Sequence, residues 1–285
     1  MLAGNAGSNP TLAAIMGYHA VLHLHTWRCK HATGEVSDYV AAALAGGCTL
    51  VGMSDHLPFP DQRWDDHRMS MSQLADYEAA VASARQAHPV ATVLLAMECE
   101  YVPDCLDFQR SLLADRGYDY LVLGQHFTPF AGSWCSSFEH LRSRETLHAY
   151  AAACISGMET GLYAFVAHPD IFGCCGTAWG PDQESCAEEL CAAAAALDVP
   201  LEINGYGLRK GSIATESGSR LMYPWLPFWE VAGRHRCSVV LSSDAHRPQD
   251  TLAGHAELCV LRDRFGLVEA DMPARLGVGG SPSSR

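Results

Sequence analysis

Apolar runs alternate with segments of helical spacing along almost the whole chain. The first apolar run covers residues 18–25. A helical pattern follows over residues 35–45, and Gly46 and Gly47 close it as a C-cap pair would. The second run, "TLVGMSDH", covers residues 49–56. Residues 72–88 are Ala-rich and predict a helix ended by Pro89, which cannot continue the hydrogen-bond ladder. "VATVLLAMECEY" (90–101) and "YDYLVLGQHF" (118–127) are the third and fourth runs. The spacing then predicts a helix over 142–161 and a fifth run, "AFVAHPD", over 164–170. Pro181 stands at the favoured first position of another helix. "PLEIN" (200–204), a helix over 224–234, "CSVVLSSDAH" (237–246) and a last helix complete the series.

Seven strand candidates, each followed by a helical stretch, imply a parallel sheet with right-handed crossovers. Seven such units either close into a barrel or lie as an open doubly wound sheet. No GxGxxG follows the first strand, so nothing favours a dinucleotide fold. The chain has 285 residues, 48% of them hydrophobic, enough for one sizeable core. Barrels of about 250 residues form single domains. We therefore expect one domain over residues 17–275, an N-terminal tail over 1–16 and a disordered C-terminal tail over 276–285.

The metal-capable side chains fall in an order. His23 and His25 end the first strand, and His56, beside Asp55, ends the second. Glu98 and Glu100 end the third, His126 the fourth, His168 the fifth and Asn204 the sixth. Asp244 and His246 end the seventh. In a parallel barrel all strand carboxyl ends open on one face, so these groups converge although they are far apart in sequence. The pair in "HLH" adds to this, because residues i and i+2 of a strand share a face. A lone histidine is more often a hydrogen-bonded core or surface residue. His67, His88, His140, His148, His235 and His255 show no such order and are read as surface or loop residues, and His19 as structural. Imidazoles mixed with a few carboxylates suit Zn, Mn or Fe better than Mg or Ca.

Nineteen basic against 32 acidic residues leave a net charge of −13, which disfavours a nucleic-acid track. A small anionic substrate stays compatible, because bound cations reverse the local field. No stretch is long and apolar enough for a membrane span, and the first 16 residues lack the pattern of a secretory signal. Twelve cysteines without CxxC pairs read as reduced thiols of a cytoplasmic protein, acting as small buried residues. A zinc-ligand role for any one of them is the sharper alternative, and the missing pair spacing speaks against it.

Taken together, "HLHT" (23–26) with His31 downstream, "SDH" (54–56), "MECEY" (97–101), "GQHF" (124–127), "AHPD" (167–170), "EINGYGLRK" (202–210) and "SSDAH" (242–246) resemble the PHP superfamily, and within it the monofunctional histidinol-phosphate phosphatases. The resemblance runs from about residue 18 to 268. It implies a distorted (β/α)7 barrel, TIM-like, with three divalent metal ions. His23, His25 and Asp244 would hold the first ion. Glu98 would bridge to the second, completed by His126 and His168. His31, His56 and His246 would hold the third. The implied reaction is hydrolysis of a small phosphate ester, with a metal-bound hydroxide attacking phosphorus and Glu98, Asp244 and His56 at the catalytic centre. Arg209 matches the family's phosphate-binding arginine, and its planar fork suits a phosphate. Lys210 is adjacent, and Arg63 and Arg68 lie on the loop 59–69 that could cover the site. Trp64 of that loop is expected to pack against its own barrel. Asp55 and Glu100 would orient imidazoles, protonate the leaving oxygen, or serve structural hydrogen bonds. Two positions depart from the family pattern: Glu100 stands where Asp is usual, and Ala96 where Gly is usual.

Three other readings compete. An amidohydrolase would use a strand-four lysine, and His126 stands there. A nuclease would be out of keeping with the acidic charge. A metal-binding module without activity would need only the ligands.

Overall fold

A computed structural model describes residues 20–215 and 218–278. The expected N-terminal tail, His19 and residues 279–285 of the expected C-terminal tail lie outside the described residues. The elements in chain order are β1 (Ala20–Val21), α1 (Val36–Ala45), β2 (Leu50–Met53), α2 (Leu74–Ala87), β3 (Thr92–Cys99), α3 (Leu106–Asp115), β4 (Tyr120–Leu123), β5 (Phe127–Phe130), β6 (Ser133–Ser136), α4 (Arg144–Glu159), β7 (Tyr163–Val166), α5 (Pro181–Ala196), β8 (Leu201–Asn204), α6 (Gly207–Lys210), β9 (Ser212–Thr215), β10 (Gly218–Leu221), α7 (Leu226–Arg234), β11 (Ser238–Ser242), α8 (His255–Arg264), β12 (Val268–Glu269) and α9 (Met272–Arg275).

Eight of the strands form one sheet in the order β1-β2-β3-β4-β7-β8-β11-β12. Every pairing in it is parallel. Beyond the end of β1, Leu24 forms a parallel bridge to Ala245, and the His25 N–H donates to the Ala245 carbonyl at 3.0 Å. The two sides of the sheet thus meet at its carboxyl end. At the opposite end β12 lies beside β11, with Ser238 paired to Val268. The sheet is a distorted α/β barrel, as the sequence resemblance implies. The eighth strand is an addition to the seven read from sequence, because two residues are too few to show a period. The sequence sets no bounds for the helix α3 after the third run, since its polar face masks the stripe that buries Gln109 and Leu112.

Two cores explain the alternation. Leu22, Leu50, Leu94, Ala96, Tyr120, Val122, Phe165, Ala167 and Val240 fill the inside of the sheet. Val51, Met53, Val93, Leu95, Met97, Leu121, Leu123, Val239 and Leu241 face outward against the helices. Side chains of a strand alternate between faces, so a buried barrel strand reads as a continuous apolar run. Leu276 and Val278, placed in the expected tail, instead pack against the inner core beside α9, where Met272 plugs it. Among the described residues no helix is long and apolar enough to cross a membrane.

Candidate metal centre

The inward positions change character as each strand rises. On β3 the series Leu94, Ala96 is apolar, and Glu98 two residues on is ionisable; each is buried. Past β4, Val122 gives way to Gly124 and His126. On β11, Val240 gives way to Ser242 and Asp244. Gly124 is required by space: a Cβ there would stand 2.1 Å from Glu98 Oε1. His168 and Asp244 have positive φ of 29° and 47°, so the backbone bends out of the strand at both positions. Non-glycine residues rarely adopt that region, and such strain tends to collect at functional sites.

Glu98 lies at the centre of the group. Its Oε2 is 3.0 Å from His56 Nδ1, 3.3 Å from His23 Nε2 and 3.5 Å from His25 Nε2. Its Oε1 is 3.0 Å from His168 Nε2 and 3.4 Å from His126 Nε2. Asp244 Oδ1 stands 3.0 Å from His25 Nε2 and 3.6 Å from His23 Nε2. The structure brings together all nine side chains singled out in the sequence. Among the described residues five sets of three have ligand atoms within 4.8 Å of one another; one is His25 with His56 and Glu98, and three share no residue: His23 with His25 and Asp244, Glu98 with His126 and His168, and His31 with His56 and His246. Cys29 comes equally close to His25 and His246; every cysteine is a free thiol.

Several rings are held by a second group. His23 Nδ1 donates to Glu202 Oε1 at 2.7 Å, and His126 Nδ1 to Glu100 Oε1 at 2.9 Å. His31 Nδ1 donates to the Cys29 carbonyl and His246 Nδ1 to that of Asp244. These partners fix the tautomer and leave each Nε2 lone pair free for a cation. The loop carrying His31 is itself pinned by Arg28, which bonds Glu35 at the start of α1 and Asp76 on α2. Glu202 was not singled out in the sequence reading. Its position two residues before Asn204, on the same face, was the available signal. Its other oxygen accepts from the His168 N–H at 3.0 Å and from Asn204 Nδ2 at 2.7 Å. Glu100 also accepts from the His126 N–H and from Arg68, which places it as an orienting group. Asp55 accepts from the Thr26 and His56 N–H groups, a structural role.

Burial works against charge on each of these groups. For His23 the carboxylates of Glu202, Asp244 and Glu98 outweigh it and hold the imidazole well above its ordinary range. For His25, burial is likewise overcome by the nearby carboxylates of Asp244 and Asp55, and its pKa is raised to about 9. Burial also opposes charge on Glu98 and Asp244, yet the histidines hold both well below the usual carboxylate range. His56 and His246 go the other way: burial and the neighbouring His25 depress both. His31 sits at the solvent edge, and desolvation of its inner side together with His25 pushes it down to about 4. The buried His23 Nε2, both His25 nitrogens, Glu98 Oε2 and Asp244 Oδ1 have no hydrogen-bond partner. Orphaned acceptors turned toward one another fit cations, and imidazole with carboxylate fits Zn, Mn or Fe. The cluster is able to bind metal ions.

Above it opens a cavity of about 440 Å³. Of the four basic candidates, Arg68 and Lys210 line it. Arg209 does not. Its guanidinium donates to the carbonyls of Gly205 at 3.0 Å and Ser243 at 2.7 Å, tying the ends of β8 and β11 together. Arg63 is also turned away, in ion pairs with Asp61 and Asp104. His67, read as an ordinary loop residue, reaches the cavity wall. The loop 59–69 is anchored by Trp64, stacked on Phe127 with ring centroids 4.2 Å apart.

A parallel barrel with imidazoles and carboxylates gathered at its strand ends defines the class, an α/β barrel with a metal-capable cluster at the carboxyl ends of its strands. The PHP domain profile matches residues 21–205, and the chain belongs to that family. It is 28% identical over 239 residues to a Deinococcus radiodurans protein named "Probable histidinol-phosphatase", covering 79% of this chain and 85% of that one. Two solved structures share the fold. A candidate histidinol phosphatase from Listeria monocytogenes superposes with a TM-score of 0.68 at 19% identity, covering 84% of this chain and 100% of that one. Histidinol phosphate phosphatase from Lactococcus lactis, complexed with zinc, L-histidinol and phosphate, gives 0.66 at 15% identity, covering 88% and 95%.

Proposed function

We propose that this chain is a metal-dependent phosphomonoesterase that holds three divalent ions and hydrolyses L-histidinol phosphate to L-histidinol and phosphate. The observation that carries the reading is the meeting of three donor sets around Glu98 at the floor of a cavity. The names of the relatives support the choice of substrate.

His23, His25 and Asp244 would hold one ion, Glu98, His126 and His168 a second, and His31, His56 and His246 a third. Such ions, when bound, acidify water and take up charge on phosphoryl oxygens. The protein's own part is positional. Glu202 and Glu100 keep two imidazoles aimed inward. Arg68, buried against Phe59 and Trp64, presents a cation on the cavity wall. The cavity has the size of a small-molecule site and is too confined for a duplex.

The test is a substrate panel. Protein loaded with Mn or Zn is offered histidinol phosphate, p-nitrophenyl phosphate, a dinucleotide and a dihydropyrimidine. Histidinol phosphate should be preferred, with kcat/KM on the order of 10⁴ M⁻¹s⁻¹ or above. Preference for the dihydropyrimidine would replace the phosphatase reading with an amidohydrolase one. Metal uptake without turnover of any compound would leave a binding module.

A further inference from the structure

The chain contains 17 arginines but only two lysines, Lys30 and Lys210. Lys30 is exposed on a loop. Lys210, at the end of α6, is turned into the cavity beside His168, Asp244 and Tyr223. Its ammonium lies 4.2 Å from the ring centroid of Phe138, 5.2 Å from Tyr206 and 5.6 Å from Tyr223. Among the described residues it makes no hydrogen bond or ion pair. Three aromatic faces attract the charge through their quadrupoles, but a ring face leaves most of the three N–H donors of an ammonium unsatisfied. The residue is only partly buried, so its unpaired donors are open to the cavity, where an anion with oxygen acceptors would meet them.

We propose that Lys210 is the group that grips the phosphoryl oxygens of the substrate, in the role that the sequence assigns to Arg209. This rests on the phosphomonoesterase reading. The two neighbours divide the work by geometry: Arg209 spends its fork on the carbonyls of Gly205 and Ser243, and Lys210 keeps its donors free.

The test is calorimetric titration of inorganic phosphate into the zinc-loaded full chain. Lys210→Met keeps the stem and removes the charge; phosphate affinity should fall about 10- to 100-fold, the range for a hydrogen bond to a charged group. Zinc content should stay unchanged, and L-histidinol, which lacks the phosphate, should bind as to the parent. Lys210→Arg should recover only part of the loss. An affinity for phosphate within about twofold of the parent in Lys210→Met overturns the proposal. Should that variant misfold, lysine labelled with ¹³C at Cε gives two side-chain signals in the parent protein. The Lys210 signal should shift on adding phosphate, and an unmoved signal at saturation overturns the proposal equally. Turnover of histidinol phosphate with unchanged phosphate affinity in Lys210→Met would reject this inference alone. Lys210-dependent phosphate binding without turnover of any ester would reject the phosphatase reading alone.

Discussion

Glu202 Oε1 lies 2.7 Å from His23 Nδ1, deep in the barrel where neither side chain meets solvent. The bond fixes the ring so that Nε2 points at Glu98 and Asp244. A carboxylate behind an imidazole raises its basicity and orients it, and removing such a partner typically costs 10- to 100-fold in metal affinity. We expect Glu202→Gln to remain folded and to lose about 10- to 100-fold in affinity for one ion. Metal content at buffered free zinc measures this. Retention of the parent's affinity would show that His23 needs no such support.

Gly124→Ala places a methyl group 2.1 Å from Glu98 Oε1. The carboxylate must swing aside, and every ring contact to it changes. Overpacking of this kind costs about 1–3 kcal/mol, while displacement of a catalytic group by 1 Å can cost on the order of 100-fold in rate. The expected signature is a small fall in Tm with a large fall in kcat and in metal content. A variant with the parent's rate would show that Glu98 is not held in place by the missing side chain.

Arg209→Ala should act on stability before it acts on catalysis. Two charge-assisted bonds to carbonyls at the ends of β8 and β11 disappear. At about 1 kcal/mol or more for each, the loss is about 2 kcal/mol, or a fall in Tm of about 4–8 °C. KM for the phosphate ester should move little. A tenfold rise in KM with an unshifted melting curve would return this arginine to the substrate.

Metal loading should release protons. Despite its burial, the nearby carboxylates of Asp244 and Asp55 raise His25 to about 9 in the metal-free protein, against an ordinary value near 6.5. The sign follows: a raised pKa means that the proton stabilises the metal-free fold below about 6.5, and that this contribution is lost as pH rises through about 9. A ligating imidazole must be neutral, so metal affinity should climb between those limits. Titration calorimetry in buffers of different ionisation enthalpy counts the protons. Zero release at pH 7.5 would mean that His25 is already neutral there.

Much of this architecture was legible in the chain because its signals are local. A strand buried on both faces must be apolar throughout, so β3, β4 and β11 appear as uninterrupted runs. The switch to His, Glu or Asp at their ends is readable for the same reason, since it breaks an otherwise apolar run. The hairpin β5–β6 was invisible, because its half-exposed residues follow no clean alternation. Glu202 gives no signal of its own, because it lies inside a four-residue strand and its partner His23 is distant in sequence.

The sequence by itself determined the parallel βα order and which residues would stand at the carboxyl ends of the strands, because side-chain period and helix punctuation are properties of neighbouring residues. The closure of the sheet through Leu24 and Ala245, the pairing of Glu202 with His23, and the opposite fates of Arg209 and Lys210 were decided only in three dimensions. Adjacent residues on a single helical turn point some 100° apart, and only the surrounding elements settle which of them meets a carbonyl and which an open cavity.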